Sequence, residues 1–229
     1  MFLSKLALNI RDAAVRRDLR DPYEMHKTLW AGFPHKDDGG AGRVLFRVDS
    51  DRHGPAALVQ SVNEPNWSAL PAGYLRFKAE AKAFTPAVTA GQRLRFRLRA
   101  NPTKRVHEKA AVPAGGESVA GKRVGLLTEV EQIKWLIGKG EDGGFTVPGE
   151  WVEAKDPETK EPIKLANFRV DAIPEGRVRD VKNPGSSLLA VRFEGVLIVS
   201  DPGLFAKTLA AGVGSAKGFG FGLLSVAPA

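Results

Sequence analysis

Residues 93–99 read Arg-Leu-Arg-Phe-Arg-Leu-Arg, a strict alternation of charged and apolar side chains. Successive side chains of a strand point to opposite faces, so this segment can only sit still as a β-strand at the surface of a core. Leu94, Phe96 and Leu98 then face inward, and Arg93, Arg95, Arg97 and Arg99 share the other face. That face can track a phosphate backbone, or it can be an exposed or salt-bridged strand face; alternation alone does not separate the two. Lys104 and Arg105 extend the basic patch.

Elements on either side follow from local chemistry. Phe2 to Ile10 is apolar enough for a first strand. Asp21-Pro22-Tyr23-Glu24 starts a helix: Asp21 caps it, Pro22 suits its first position and Glu24 supports its first turn. The helix is expected to run to Trp30, ended by Gly32 and the Gly/Asp-rich stretch to Gly42. Strands are predicted at Arg43–Asp49 and Ala56–Val62, joined by the turn 51–55, with a further strand at Gly73–Lys78. This β-α-β-β order with a strand to follow fits the ferredoxin-like pattern.

Residues 85–92, with Pro86 and Gly91, read as a linker, dividing the chain into units 1–84 and 93–229. In the second unit, residues 106–123 are Ala/Gly-rich and read as mobile. Thr128-Glu129-Val130-Glu131 is a capping box for a helix reaching about Ile137. Strands are predicted near Phe145–Glu153, Lys164–Asp171 and Leu188–Val199. Asp201-Pro202 opens another helix by the device used at Asp21-Pro22, and it ends before Gly212. The two halves read as two versions of one plan.

Composition narrows the chemistry. A chain of 229 residues that is 43% hydrophobic can bury the core of one large or two small domains. Its formal charge of +8 is spread over both halves and suits an anionic partner. With no cysteine, disulfides, zinc ribbons and thiol catalysis are excluded. His26, His35, His53 and His107 are scattered without metal-ligand spacing, so no metal and no small-molecule cofactor are expected. Lys5 and Asn9 interrupt the first apolar run, which fails as a signal peptide. No run approaches the length of a membrane span, and the expectation is a soluble cytoplasmic protein.

Gly212 to Gly222 reads Gly-Val-Gly-Ser-Ala-Lys-Gly-Phe-Gly-Phe-Gly. Such a loop lets backbone approach a partner closely, with Lys217 supplying charge in the middle. It is not a Walker loop, because no Gly-Lys-Ser/Thr follows at the required spacing. Nor does it link a strand to a helix as a dinucleotide fingerprint does.

In sequence order stand Asn9, Arg16-Arg17-Asp18-Leu19, Asp21 to His26, Leu58-Val59-Gln60-Ser61 and Asn63 to Trp67. Gly91 to Pro102, Lys104-Arg105, the glycine loop and Gly222 to Val226 follow. Together these resemble the CasE family, the CRISPR repeat-processing endoribonucleases of the type I-E Cascade complex. The resemblance covers nearly the whole chain. It implies an α+β fold of two tandem ferredoxin-like (RRM-like) domains. It implies metal-independent cleavage of the CRISPR repeat RNA at the 3′ base of its stem-loop, leaving a 2′,3′-cyclic phosphate and a 5′-hydroxyl. The RNA is then kept with the other Cascade subunits.

Metal-free RNA cleavage needs a base for the 2′-OH, an acid for the leaving 5′-oxygen and cations around the phosphorane. His26 matches the family's catalytic position, and Tyr23, three residues earlier, projects from the same helical face. Which is acid and which is base is open at this point. His35 is a fallback candidate, and His53 and His107 read as solvent-facing turn residues. The resemblance also places a basic hairpin in the stem's major groove, which here would carry Lys155, Lys160 and Lys164. On the glycine loop Gly214, Lys217 and Gly220 are the RNA-binding candidates. Two alternatives stand beside this reading: a scaffold subunit that holds a stem-loop without cutting it, and a nucleotide-binding enzyme using the glycine loop.

Overall fold

The computed structural model describes residues 1–34, 42–106, 121, 123–181, 183 and 185–229. His35, His107 and most of the Ala/Gly-rich stretch lie outside those residues.

The first part of the chain runs β1 (Phe2–Ala7), α1 (Ala13–Arg20), α2 (Pro22–Trp30), β2 (Val44–Asp51), β3 (Gly54–Ser61), a 3-10 turn at Trp67–Ala69 and β4 (Ala81–Ala83). Its sheet has the order β2-β3-β1-β4, antiparallel throughout. Asp12 caps α1 by accepting from the Val15 amide, and Asp21 caps α2 through the Tyr23 amide, as the Asp-Pro start predicts. The two helices bury Val15, Met25 and Leu29 against Leu6, Leu8, Phe46, Ala57 and Val59 on one face of the sheet.

The second part follows with β5 (Arg93–Ala100), β6 (Thr103–Arg105), β7 (Arg123–Gly125), α3 (Glu129–Gly143), β8 (Phe145–Thr146), β9 (Gly149–Lys155) and β10 (Pro162–Phe168). It closes with β11 (Val170–Arg179), β12 (Ser187–Val199), α4 (Pro202–Ala211) and β13 (Leu224–Pro228). The main sheet has the order β11-β12-β5-β13, with β8 at one end of β12. Counting each sheet's four main strands along the chain, both sheets show the same spatial order, second-third-first-fourth. Leu94, Phe96 and Leu98 of β5 are buried beneath Ile133 and Leu136 of α3 and Phe205 and Leu209 of α4, so the alternation in 93–99 resolves as expected.

Several boundaries differ from the sequence reading. α1 was not anticipated, since its Arg-rich sequence gives a weak apolar stripe. Gly73–Lys78 contributes only a bridge between Leu75 and Leu8, and the edge strand forms later, at Ala81–Ala83. The segment is turned away because Tyr74 is drawn into the core, where its hydroxyl donates to the buried Asp18 at 2.8 Å. α3 runs past Ile137, because Gly140 packs where a Cβ would lie 2.5 Å from the Phe145 carbonyl oxygen and so belongs to the helix rather than ending it. The segment expected as one strand at Phe145–Glu153 divides at Pro148, which has no N–H to continue a ladder. Lys164–Asp171 divides likewise at Arg169, whose amide donates to the Pro148 carbonyl at 2.8 Å. The halves of these segments serve two different sheets.

The two sheets meet at a polar and aromatic seam. Arg47 of β2 is 3% exposed; its guanidinium holds Asp49 and reaches the Arg97 carbonyl at 3.3 Å and Ser225 Oγ at 2.9 Å. Gln60 Nε2 donates to the Leu209 carbonyl at 2.6 Å. Phe219 and Phe221 pack at the same seam with Tyr23 against them. Among the described residues no helix is long and apolar enough to cross a membrane.

Candidate active site and nucleic-acid interface

α2 from the first sheet's layer and the glycine-rich turn before β13 face each other across the seam. Tyr23 and His26, three apart on α2, place their ring centroids 6.2 Å apart. Tyr23 lies 5.5 Å from Phe219, a residue of the short 3-10 turn Lys217–Phe219. A Cβ on Gly218 would lie 3.7 Å from His26 Cδ2 and 3.8 Å from Nε2, so the turn faces that edge of the imidazole with space for an atom of that size between them. Phe46 of β2 stacks on His26 at 6.3 Å with an interplanar angle of 18°. From one helical turn further on, the Trp30 indole N–H donates to His26 Nδ1 at 3.2 Å. The imidazole is thus walled on three sides.

The turn's shape is set by its glycines and by Arg99. Gly220 has φ +77°, and a Cβ there would meet the Phe46 ring at 3.2 Å, so a side chain at this position would strain the backbone and press on that ring. Arg99 anchors the turn from behind: Nη1 donates to the Phe219 carbonyl at 3.4 Å, the guanidinium lies 4.6 Å over the Phe221 ring, and Nε pairs with Glu175 at 2.7 Å. The Gly222 amide donates to the Arg99 carbonyl at 2.8 Å, and the Val213 amide to the Gly222 carbonyl at 2.9 Å, closing the loop. Gly214 rests against Trp135, 3.1 Å from a notional Cβ. Burial and then the nearby Arg43 hold the Lys217 ammonium below the usual lysine range. The side chain of this cation runs along Gly222, on the same turn whose Gly218 faces His26, and a half-buried cation suits a phosphate better than it suits water.

The arginine row divides. Arg93 and Arg95 are exposed, Arg95 donating to the Pro228 carbonyl at 3.2 Å. Arg97 pairs with Glu194 at 2.6 Å and Asp49 at 3.4 Å, and Arg99 with Glu175, so those two are tied into a network that also holds Arg192. Lys104 pairs with Glu131 at 2.9 Å, and Arg105 lies beside it on the exposed β6. On the β9–β10 hairpin, Lys155 closes β9, Lys164 stands opposite Glu153, and Lys160 occupies the turn with φ +60° and donates to the Pro157 carbonyl at 2.6 Å. His53 is an exposed turn residue, as expected.

Sequence reasoning did not find Trp30, Phe46 and Phe219, which wall His26 and Tyr23, or Arg47, which locks the seam. Only Trp30 left a trace: it stands four residues after His26 on a predicted helix, on the same face.

The chain matches the family model described as CRISPR associated protein over residues 1–228. It is 41% identical over 234 residues to the CRISPR-associated endoribonuclease Cse3 of Thermus thermophilus, covering 100% of both chains. With the CRISPR system Cascade subunit CasE of Escherichia coli it shares 30% identity over 230 residues, again covering 100% of both. Its fold superimposes with a TM-score of 0.77, at 40% identity, on Thermus thermophilus Cse3 bound to an RNA representing a pre-cleavage complex, covering 99% of this chain and 98% of the other. Fold and sequence thus define a CRISPR-associated protein. The chain belongs to that family, in the branch of Cse3 and CasE.

Proposed function

We propose that the chain is a metal-independent endoribonuclease that cuts CRISPR repeat RNA at the base of its stem-loop and keeps the product as a subunit of Cascade. The observation that carries this is the meeting of His26 and Tyr23 with the glycine-rich turn, two proton-exchanging groups facing a segment that also bears a partly desolvated cation, Lys217. The 2′-oxygen attacks the adjacent phosphorus and the bond from phosphorus to the 5′-oxygen breaks. One proton leaves the 2′-OH to a base and one reaches the 5′-oxygen from an acid, giving 2′,3′-cyclic phosphate and 5′-OH ends. His26 and Tyr23 exchange these protons, and Lys217 with the amides of the turn carries the phosphorane charge.

The shared strand order supports two tandem ferredoxin-like units, 1–84 and 93–229, joined by 85–92; the first has a 3-10 turn where a second helix would stand. The exposed Arg93 and Arg95, with Lys104, Arg105, Lys155, Lys160 and Lys164, make the wider RNA surface, and Gly214 and Gly220 shape the turn. The protein acts with the other Cascade subunits, as the relationship to CasE supports, and a cytoplasmic location is part of the same reading. The test is incubation with the labelled host repeat stem-loop in EDTA, beside a copy with 2′-deoxyribose at the cut. Cleavage of the first alone is expected; cleavage of both excludes the 2′-OH route, and binding without cleavage of either favours a scaffold.

A further inference from the structure

We propose that Trp30 is the positioning residue of the site: its indole N–H holds His26 in the tautomer that carries the proton on Nε2, the nitrogen beside the glycine turn. Indole nitrogen is a donor only, so Nδ1, 3.2 Å away, must be the acceptor. A neutral imidazole that accepts at one nitrogen donates at the other. The ring planes cross at 75° with centroids 5.5 Å apart, so the indole edge meets the imidazole edge rather than stacking on it. Phe46 is stacked alongside the imidazole, near-parallel to it with its centroid 6.3 Å away.

Charging His26 places a proton on Nδ1 and requires the Trp30 bond to break, so Trp30 opposes the imidazolium. Among the described residues, the charged and titratable groups on the two elements that face the ring are Tyr23, Glu24 and Lys27 on α2 and Lys217 on the turn. The cations among them act in the same direction as Trp30. All of them stay in place in Trp30→Phe, so that variant isolates the indole N–H while keeping an aromatic ring in its slot.

This inference rests on the proposed ribonuclease for its meaning but not for its test. Imidazole ¹⁵N NMR of the RNA-free wild-type protein reads the tautomer directly, and the Nε2–H form is expected. In Trp30→Phe the His26 titration should move to higher pH by about 0.5 to 1 unit, the size of one ordinary hydrogen bond. The pH–rate limb governed by His26 should move with it in the same direction, whether His26 serves as acid or as base. An Nδ1–H tautomer in the wild type, or a His26 titration unmoved in Trp30→Phe, overturns the proposal. Absence of RNA cleavage would instead count against the ribonuclease reading and leave the NMR result standing.

Discussion

Arg47 and Ser225 stand 178 positions apart in sequence and are joined by a 2.9 Å hydrogen bond across the seam between the two sheets. The same guanidinium grips Asp49 through Nε and Nη2. Arg47→Met should therefore destabilise the protein by about 2–4 kcal/mol, since it leaves a half-buried carboxylate with Arg97 as its remaining cation and takes the Arg47 donor from a seam hydroxyl. Urea unfolding reads this. Burial pushes the Asp49 carboxyl up, but the hydrogen bonds and charge of Arg47, with Arg97, hold it below the usual range. Its stabilising contribution is present above the unfolded value near 3.9 and is lost as pH falls through the lower folded value. Wild type should lose stability through that acid window, and Arg47→Met should lose less of it.

His26→Ala should lower the cleavage rate by roughly 10²–10⁴-fold while leaving stem-loop affinity close to wild type. Single-turnover kinetics beside a filter-binding isotherm separates the two. Wild-type cleavage in this variant would remove His26 from the chemistry.

Tyr23→Phe keeps the ring against Phe219, 5.5 Å away, and deletes only the hydroxyl. If that hydroxyl meets the reacting phosphate, single-turnover cleavage should fall roughly 10- to 100-fold, the worth of one hydrogen bond to a charged group. An unchanged rate would reduce Tyr23 to a packing residue.

Lys217→Met should weaken RNA binding and slow cleavage yet raise the melting temperature, because a desolvated ammonium is replaced by an apolar side chain of similar length. The sign of its pH dependence is set by its lowered folded value. Between that value and the unfolded one near 10.4 the unfolded chain holds more protons, so wild-type stability should rise with pH there. Lys217→Met should lack that rise.

Arg95→Ala and Arg99→Ala should separate although they share one strand face. Arg95 is exposed, and its loss should reduce the salt slope of RNA binding by about 0.7 to 0.9, as for one phosphate contact. Arg99 holds the Phe219 carbonyl and lies over Phe221, so its loss should lower thermal stability and cleavage together. Equal effects of the two on the salt slope would mean that the row acts as one phosphate track.

That Tyr23 and His26 share one face of a short helix was legible, because an Asp-Pro start sets the register and three-residue spacing does the rest. The alternation in 93–99 identified a strand and its two faces, but not the division of its arginines, since Glu175, Glu194 and Asp49 reach them from other strands. The chemistry came from likeness to a family; blind to it, a helical histidine and a glycine-rich turn give no reaction. Arg47 was invisible for a physical reason. An arginine in a strand ordinarily faces water, and what buries this one lies at the far end of the chain. Pro148 was the missed cue, because a strand that contains it cannot carry an unbroken ladder.

α2 is complete within the first 30 residues, whereas the turn that walls its histidine begins at residue 217. On the proposed function, a chain emerging from the ribosome carries His26 without the backbone that would hold a phosphate beside it until residue 217 and the turn it opens have been made. Nuclease activity therefore waits on that segment, and a chain cut before it lacks one wall of the site.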